Sequence, residues 1–248
     1  MAATTLDDVI AELDEVVAVA RKEKSRLGYF AILYRNVTRK VRDGIAAGRF
    51  QDGPRMELLD VNFANRYLNA LDNFRSGRQA SRCWTSAFRM ATERRPLILQ
   101  HLLLGINAHI NFDLGAAAAV TAPGMKLKEM RHDFDEINSL LGEMLDETQD
   151  RLSSVSPWMW VLDKVGGRND EAICTFCLGG SRDIAWKWAE RLAPMTPKDM
   201  DRELLELDRY VDALAGGIRS PGFLINCATY IIRFAEQGDV EKVMDALE

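Results

Sequence analysis

The 248-residue sequence predicts an all-α fold: a single-domain multi-helix bundle of roughly ten helices around a buried central helix at about residues 97–116. Three observations carry this reading. Apolar residues recur at helical spacing along almost the whole chain, and no stretch alternates convincingly as a strand does. The connections between periodic segments are short, which favours one domain over residues 1–248. The stretch LILQHLLLGINAHINFDLGAAAAV, Leu97 to Val120, is apolar on every side, as a helix enclosed by others must be.

The first helix is expected from about Leu6 to Lys24, with Thr5 as N-cap and Gly28 just past its end. A second spans about Tyr29 to Ala47, where Phe30, Leu33, Tyr34, Val37, Val41 and Ile45 form the apolar stripe. Gly48 and the Asp52-Gly53-Pro54 turn close it. The third helix, about Arg55 to Asn73, carries Leu59, Phe63, Tyr67 and Leu71 on one side, with Asp60 beside them. A fourth covers Ser81 to Thr92 and holds Trp84, and Pro96 starts the central helix at a first-turn position. Pro123-Gly124 ends that segment, and a long helix follows from about Leu127 to Leu152. Ser156-Pro157 opens a short helix with Trp158 and Trp160, which Gly166-Gly167 stops. A long helix capped by Asn169 or Asp170 reaches Arg191, and helices over about Lys198 to Ala215, Pro221 to Gln237 and Val240 to Leu247 complete the chain.

Composition narrows the functional classes. Hydrophobic residues make up 47% and charged residues 28%, as in ordinary globular domains. A net charge of −5 and the lack of a basic tract with interleaved aromatics argue against a nucleic-acid partner. The N-terminus shows no secretory pattern, and the most apolar window has His, Asn and Asp near its middle, a poor membrane span. A cytoplasmic location without a membrane partner follows as the expectation. Cys83, Cys174, Cys177 and Cys227 read as reduced thiols, and the lone CxxC of Cys174 and Cys177 lacks the second ligand pair of a structural zinc site.

The central stretch carries the chemistry. Gln100, His101, Asn107, His109, Asn111 and Asp113 are set into its apolar surface, and buried polar groups need partners or a ligand. Projected as a helix, His101, His109 and Asp113 share one side, while Gln100, Asn107 and Asn111 gather nearly opposite as amide clamps for neighbouring helices. His109 and Asp113 stand one turn apart, a spacing that allows a shared metal ion or a direct imidazole–carboxylate hydrogen bond. On the following helix Asp133 projects inward and His132 outward. The sharp reading is a pocket of His109, Asp113 and Asp133, with His101 and Asp60, holding a divalent metal ion or a polar small molecule. A metal with open positions there would activate water for hydrolysis, with a carboxylate as base. The alternative is a non-catalytic helical scaffold or partner-binding module, a homo-oligomer among the forms allowed, whose polar core fixes helix register. No GxSxG, HExxH, P-loop or dinucleotide fingerprint competes.

The segments SRLGYFAILYRNVTRKVRDGIAAGRF, RMELLDVNFANRYLNAL, GINAHINFDL, DFDEIN, SPWMWVLD and RDIAWKWAERLA together resemble the bacterial and fungal domain-of-unknown-function family 5995 over nearly the whole chain. The resemblance implies site residues at Asp60, Arg66, Tyr67, Asn107, His109, Asp113, Asp133, Asn138, Arg182 and Trp186, leaves His132 out, and implies no activity. A more distant likeness, resting on size and the HxxxD pair, is to the all-helical zinc phospholipase C and nuclease group. This chain, with 3 histidines, departs from its trinuclear zinc pattern.

Overall fold

A computed structural model describes residues 2–156, 170–220, 232 and 235–248, without the side chains of 145–147, 149 and 170–179. The expected helix with Trp158 and Trp160, nearly all of the one from Pro221 to Gln237, and the side chains of Cys174, Cys177 and Cys227 lie outside the described residues. The described residues form helices and no strand.

Helix α1 is Leu6–Glu23, opened by a reciprocal Thr5–Asp8 capping box. Its end corrects the expectation for Gly28, because Lys24 itself takes the left-handed position at φ 51°. Gly28 lies instead inside α2 (Leu27–Ala46), where an added Cβ would meet Met244 Cε at 2.6 Å. Asp52 caps α3 (Gly53–Arg75), with Pro54 in its first turn. After α4 (Arg82–Met90), the central segment begins at Ile98 rather than at Pro96, with Leu97 as N-cap.

That segment is not one regular α-helix. α5 (Ile98–Ile106) widens into a π-helix over Asn107–Leu114 and tightens again as α6 (Gly115–Thr121). Glycines flank the wide turns, each at a close approach. A Cβ on Gly105 would stand 2.4 Å from the Phe30 ring, and one on Gly115 would stand 2.6 Å from the Ala185 carbonyl oxygen. Among the described residues Ile98–Thr121 is the one stretch long and apolar enough to cross a membrane, and 72% of its most apolar window is buried inside the fold. The expected long helix at 127–152 divides at Met130 into α7 (Lys126–Glu129) and α8 (Arg131–Val155). α9 (Asp170–Leu192), α10 (Pro197–Arg219, capped by Thr196) and α11 (Val240–Leu247) follow. One apolar cluster runs from Ala3 to Leu247, with α9 and α10 packed on the π segment.

Three buried carboxylates tie helix starts to distant elements. The first amides of a helix have no partner within it, so each needs an acceptor from elsewhere. Asp133 on α8 is fully buried and accepts from the amides of Gln51 and Asp52 at 2.7 and 2.9 Å, at the entry to α3. Asp208 on α10 accepts from Arg82 and Cys83 at the start of α4, at 2.8 and 3.0 Å. Glu236 accepts from Ile98 at the start of α5 and from the Ser156 hydroxyl. Two of the three amide clamps expected on the central helix form, Gln100 donating to the Ile218 carbonyl and Asn107 to that of Val211, both on α10, whereas Asn111 donates to Asn107 Oδ1 within its own segment.

Two outcomes test this architecture by chemical denaturation. Asp133→Ala strands two part-buried amides at the α3 entry and lowers stability by about 1–3 kcal/mol, whereas a change below about 0.5 kcal/mol would contradict the clamp. Gly115→Ala gains about 1 kcal/mol in helix propensity but forces α9 outward, for a net loss of about 1–3 kcal/mol.

Candidate functional site

The π segment places His109 and Asp113 at the centre of the protein, 3% and 1% exposed. Their neighbours come from α2, α3 and α4. Phe63 stacks on the imidazole face to face, with centroids 3.5 Å apart and planes 7° from parallel. Tyr34 meets it edge-on at 4.3 Å, and Phe30, Trp84 and Tyr67 complete an aromatic cage.

Asp113 is the anchor inside this cage. Arg66 Nε donates to Oδ1 and Trp84 Nε1 to Oδ2, both at 2.8 Å. His109 Nδ1 lies 3.4 Å from the same Oδ2. A carboxylate can only accept, so the proton belongs on Nδ1 and the lone pair on Nε2. Burial holds the His109 pKa below its ordinary value of 6.5, with Asp113 opposing, so the ring is neutral at pH 7. Its Nε2 is buried and finds no hydrogen-bond partner among the described residues.

A second buried group without a partner among the described residues lies on α3. Asp60 is one turn before Phe63 on α3 and is 6% exposed, and its Oδ2 is buried without a partner among the described residues. Burial pushes its pKa from 3.8 up to about 7, against the pull of the Arg182 guanidinium. The buried phenol of Tyr34, edge-on to the His109 ring, has its pKa raised by burial and by the charges of Asp60 and Asp113. Arg182, 3% exposed, donates through one terminal nitrogen to the Phe134 carbonyl and lies over the Phe134 ring, and burial lowers its pKa to about 10. Its Nε has no partner among the described residues.

The structure thus brings His109, Asp113, Arg66, Tyr67 and Asp60 into one polar-in-aromatic core, with Arg182 at its edge. The other expected residues are placed elsewhere. Asp133 does not join His109, because both its oxygens serve the α3 entry. His101 lines a neighbouring pocket and meets Tyr29 edge-on at 5.9 Å. Asn107 clamps α10, Trp186 packs on Phe134, and Asn138 is exposed on α8. His132 is exposed and Asp133 buried, as their projections require.

The donor set does not fit a metal ion. Among the described residues no group of three His, Cys, Asp or Glu side chains is placed to hold one. Both oxygens of Asp113 already accept from Arg66 and Trp84, and a cation there would sit against the Arg66 charge. His109, Asp113 and Asp133 therefore do not assemble as the metal site expected from the sequence.

Trp84, Tyr34, Phe30 and Phe63 build the site yet carry no site signal in the sequence. Each occupies an apolar position of an amphipathic helix, and only the indole N–H and phenol O–H mark two of them as needing partners.

The raised pKa of Asp60 sets a pH dependence. In the fold the acid stays protonated up to about pH 7, whereas unfolded it ionises near 3.8. Its contribution to stability is full below pH 3.8 and falls by on the order of 4 kcal/mol as pH rises to 7. Asp60→Asn removes this slope, so the stability difference between variant and wild type grows in the variant's favour from pH 4 to 7. A difference flat with pH would contradict a buried, unpaired Asp60.

Comparison with known proteins reaches a family and no further. No curated protein and no solved structure matches the chain. The profile of a family of unknown function, DUF5995, matches residues 6–221, and the chain belongs to that family.

Proposed function

We propose that this protein binds a small molecule at His109 and acts on it by acid–base chemistry, without a metal ion. The observation supporting this is the unpartnered, buried Nε2 of an imidazole whose other nitrogen is held by a doubly anchored carboxylate. An aspartate that fixes the tautomer and orientation of a histidine leaves a directed lone pair, the requirement for a general base. Asp60 supplies the complementary group. Burial shifts His109 towards the neutral base and Asp60 towards the neutral acid, and pairs pushed apart in this way divide acid and base roles between them. Tyr34, in contact with the imidazole and within the field of Asp60, orients the ligand between them. Hydrolysis with His109 activating water is one reaction of this class.

The close Phe63 stack and the low exposure of His109 favour a second reading, a polar core that only fixes helix packing. A thermal-shift screen of small organic acids, alcohols, amides and esters against wild type, His109→Gln and His109→Phe separates the two. Under the proposal some compound raises the wild-type Tm by several degrees and leaves His109→Gln unmoved, with both folded by circular dichroism. No compound separating the two proteins, together with a His109→Phe variant at least as stable as wild type, would overturn it.

A further inference from the structure

The charge of the chain is unevenly spread. Its net charge is −5, yet residues 75–95, around α4, carry Arg75, Arg78, Arg82, Arg89, Arg94 and Arg95 against the single carboxylate of Glu93. All six arginines are exposed. Phe74 packs on Phe88 with ring centroids 5.2 Å apart, which holds the last turn of α3, with Arg75, against α4. Arg82 and Arg89 stand two turns apart on one face of α4, roughly 10 Å along its axis. The carboxylates that neighbouring helices bring to this region are already engaged. Asp208 accepts from the Arg82 and Cys83 amides, Asp212 from the Ser86 hydroxyl, and Asp72 pairs with Arg78. No carboxylate of a described residue is in ion-pair contact with Arg75, Arg82, Arg89, Arg94 or Arg95.

The composition of this surface separates the classes of anionic partner. A protein partner needs an apolar, charge-poor centre to its interface, and a membrane holds a surface helix by its apolar side chains as well as its cations. None of the exposed large apolar residues lies within 75–95. Interfaces with nucleic acid are instead polar and strongly positive. Trp84 and Phe88, the aromatic residues of the stretch, are buried, so no ring is offered for stacking on unpaired bases. The phosphate rows of a duplex remain, and guanidinium forks bind phosphate through parallel pairs of hydrogen bonds. An axial length of roughly 10 Å spans about three phosphates on one strand of DNA, so Arg82 and Arg89 reach separate phosphates.

We propose that the arginine face around α4 binds the phosphate backbone of duplex DNA without reading its sequence. The acidic balance of the whole chain, the ground for expecting no nucleic-acid partner, averages over this local excess. The inference is independent of the reading of His109.

Fluorescence anisotropy of a labelled DNA duplex of about 20 base pairs, titrated with the full chain at about 50 and 200 mM salt, tests the proposal. The duplex binds with a Kd of about 1–100 µM at the lower salt and about 40-fold or more weakly at the higher, as three or more phosphate contacts require. Arg82→Gln combined with Arg89→Gln weakens low-salt binding about tenfold or more and flattens the logarithmic salt slope by about 2. Lys126→Gln combined with Lys128→Gln removes the same charge from exposed positions on α7 and leaves binding unchanged. Circular dichroism verifies that both variants are folded. No binding at about 100 µM protein and low salt, an arginine variant that binds like wild type, or an equal loss from the lysine variant would each overturn the proposal. Tighter binding of single-stranded DNA or duplex RNA of the same length, or uptake by phosphatidylserine vesicles at a salt concentration where the duplex is not bound, would overturn it as well.

Discussion

The anchoring of Asp113 is the interaction on which the centre of the protein depends. One carboxylate joins α3 through Arg66, α4 through Trp84, and the π segment that carries both itself and His109. Removing any donor would leave part of a buried charge uncompensated, the costly case for ionic groups in a low-dielectric interior. The same anchoring selects the tautomer of His109 and so determines which nitrogen faces the aromatic cage.

The remaining buried polar groups divide by what they have for partners. Asp133, Asp208 and Glu236 serve helix starts and Asn107 and Gln100 hold α10, so their hydrogen bonds are spent on architecture. His109 Nε2, Asp60 Oδ2 and Arg182 Nε are buried without such partners among the described residues. Unsatisfied buried groups cost stability, and a cluster of them beside a π-helical distortion is where a fold trades stability for a site.

Much of this was legible in the sequence, for identifiable reasons. Helical periodicity depends on local spacing, so the all-α class and most helix positions follow from it directly. The His109–Asp113 pair was legible because its partners are one turn apart on one segment. The inward projection of Asp133 was also legible, but its use was not. A carboxylate pointing into a core looks the same whether it meets a histidine or the amides of a loop more than 80 residues away, as Gln51 and Asp52 are. The π segment was hidden as well, since an i, i+4 projection assumes the regular turn that Asn107–Leu114 abandons. Trp84 was invisible as a site residue because its ring satisfies the apolar pattern while its N–H alone carries the function.

The central claim is that His109 is a neutral base with its lone pair on Nε2, and nitrogen-resolved NMR of the imidazoles tests it most directly. With 3 histidines in the chain, assignment through His109→Gln is straightforward. The account predicts a proton on Nδ1, an unprotonated Nε2, and a titration midpoint below 6.5, the ordinary value. A proton on Nε2, or a His109 that is charged above pH 6.5, would contradict it.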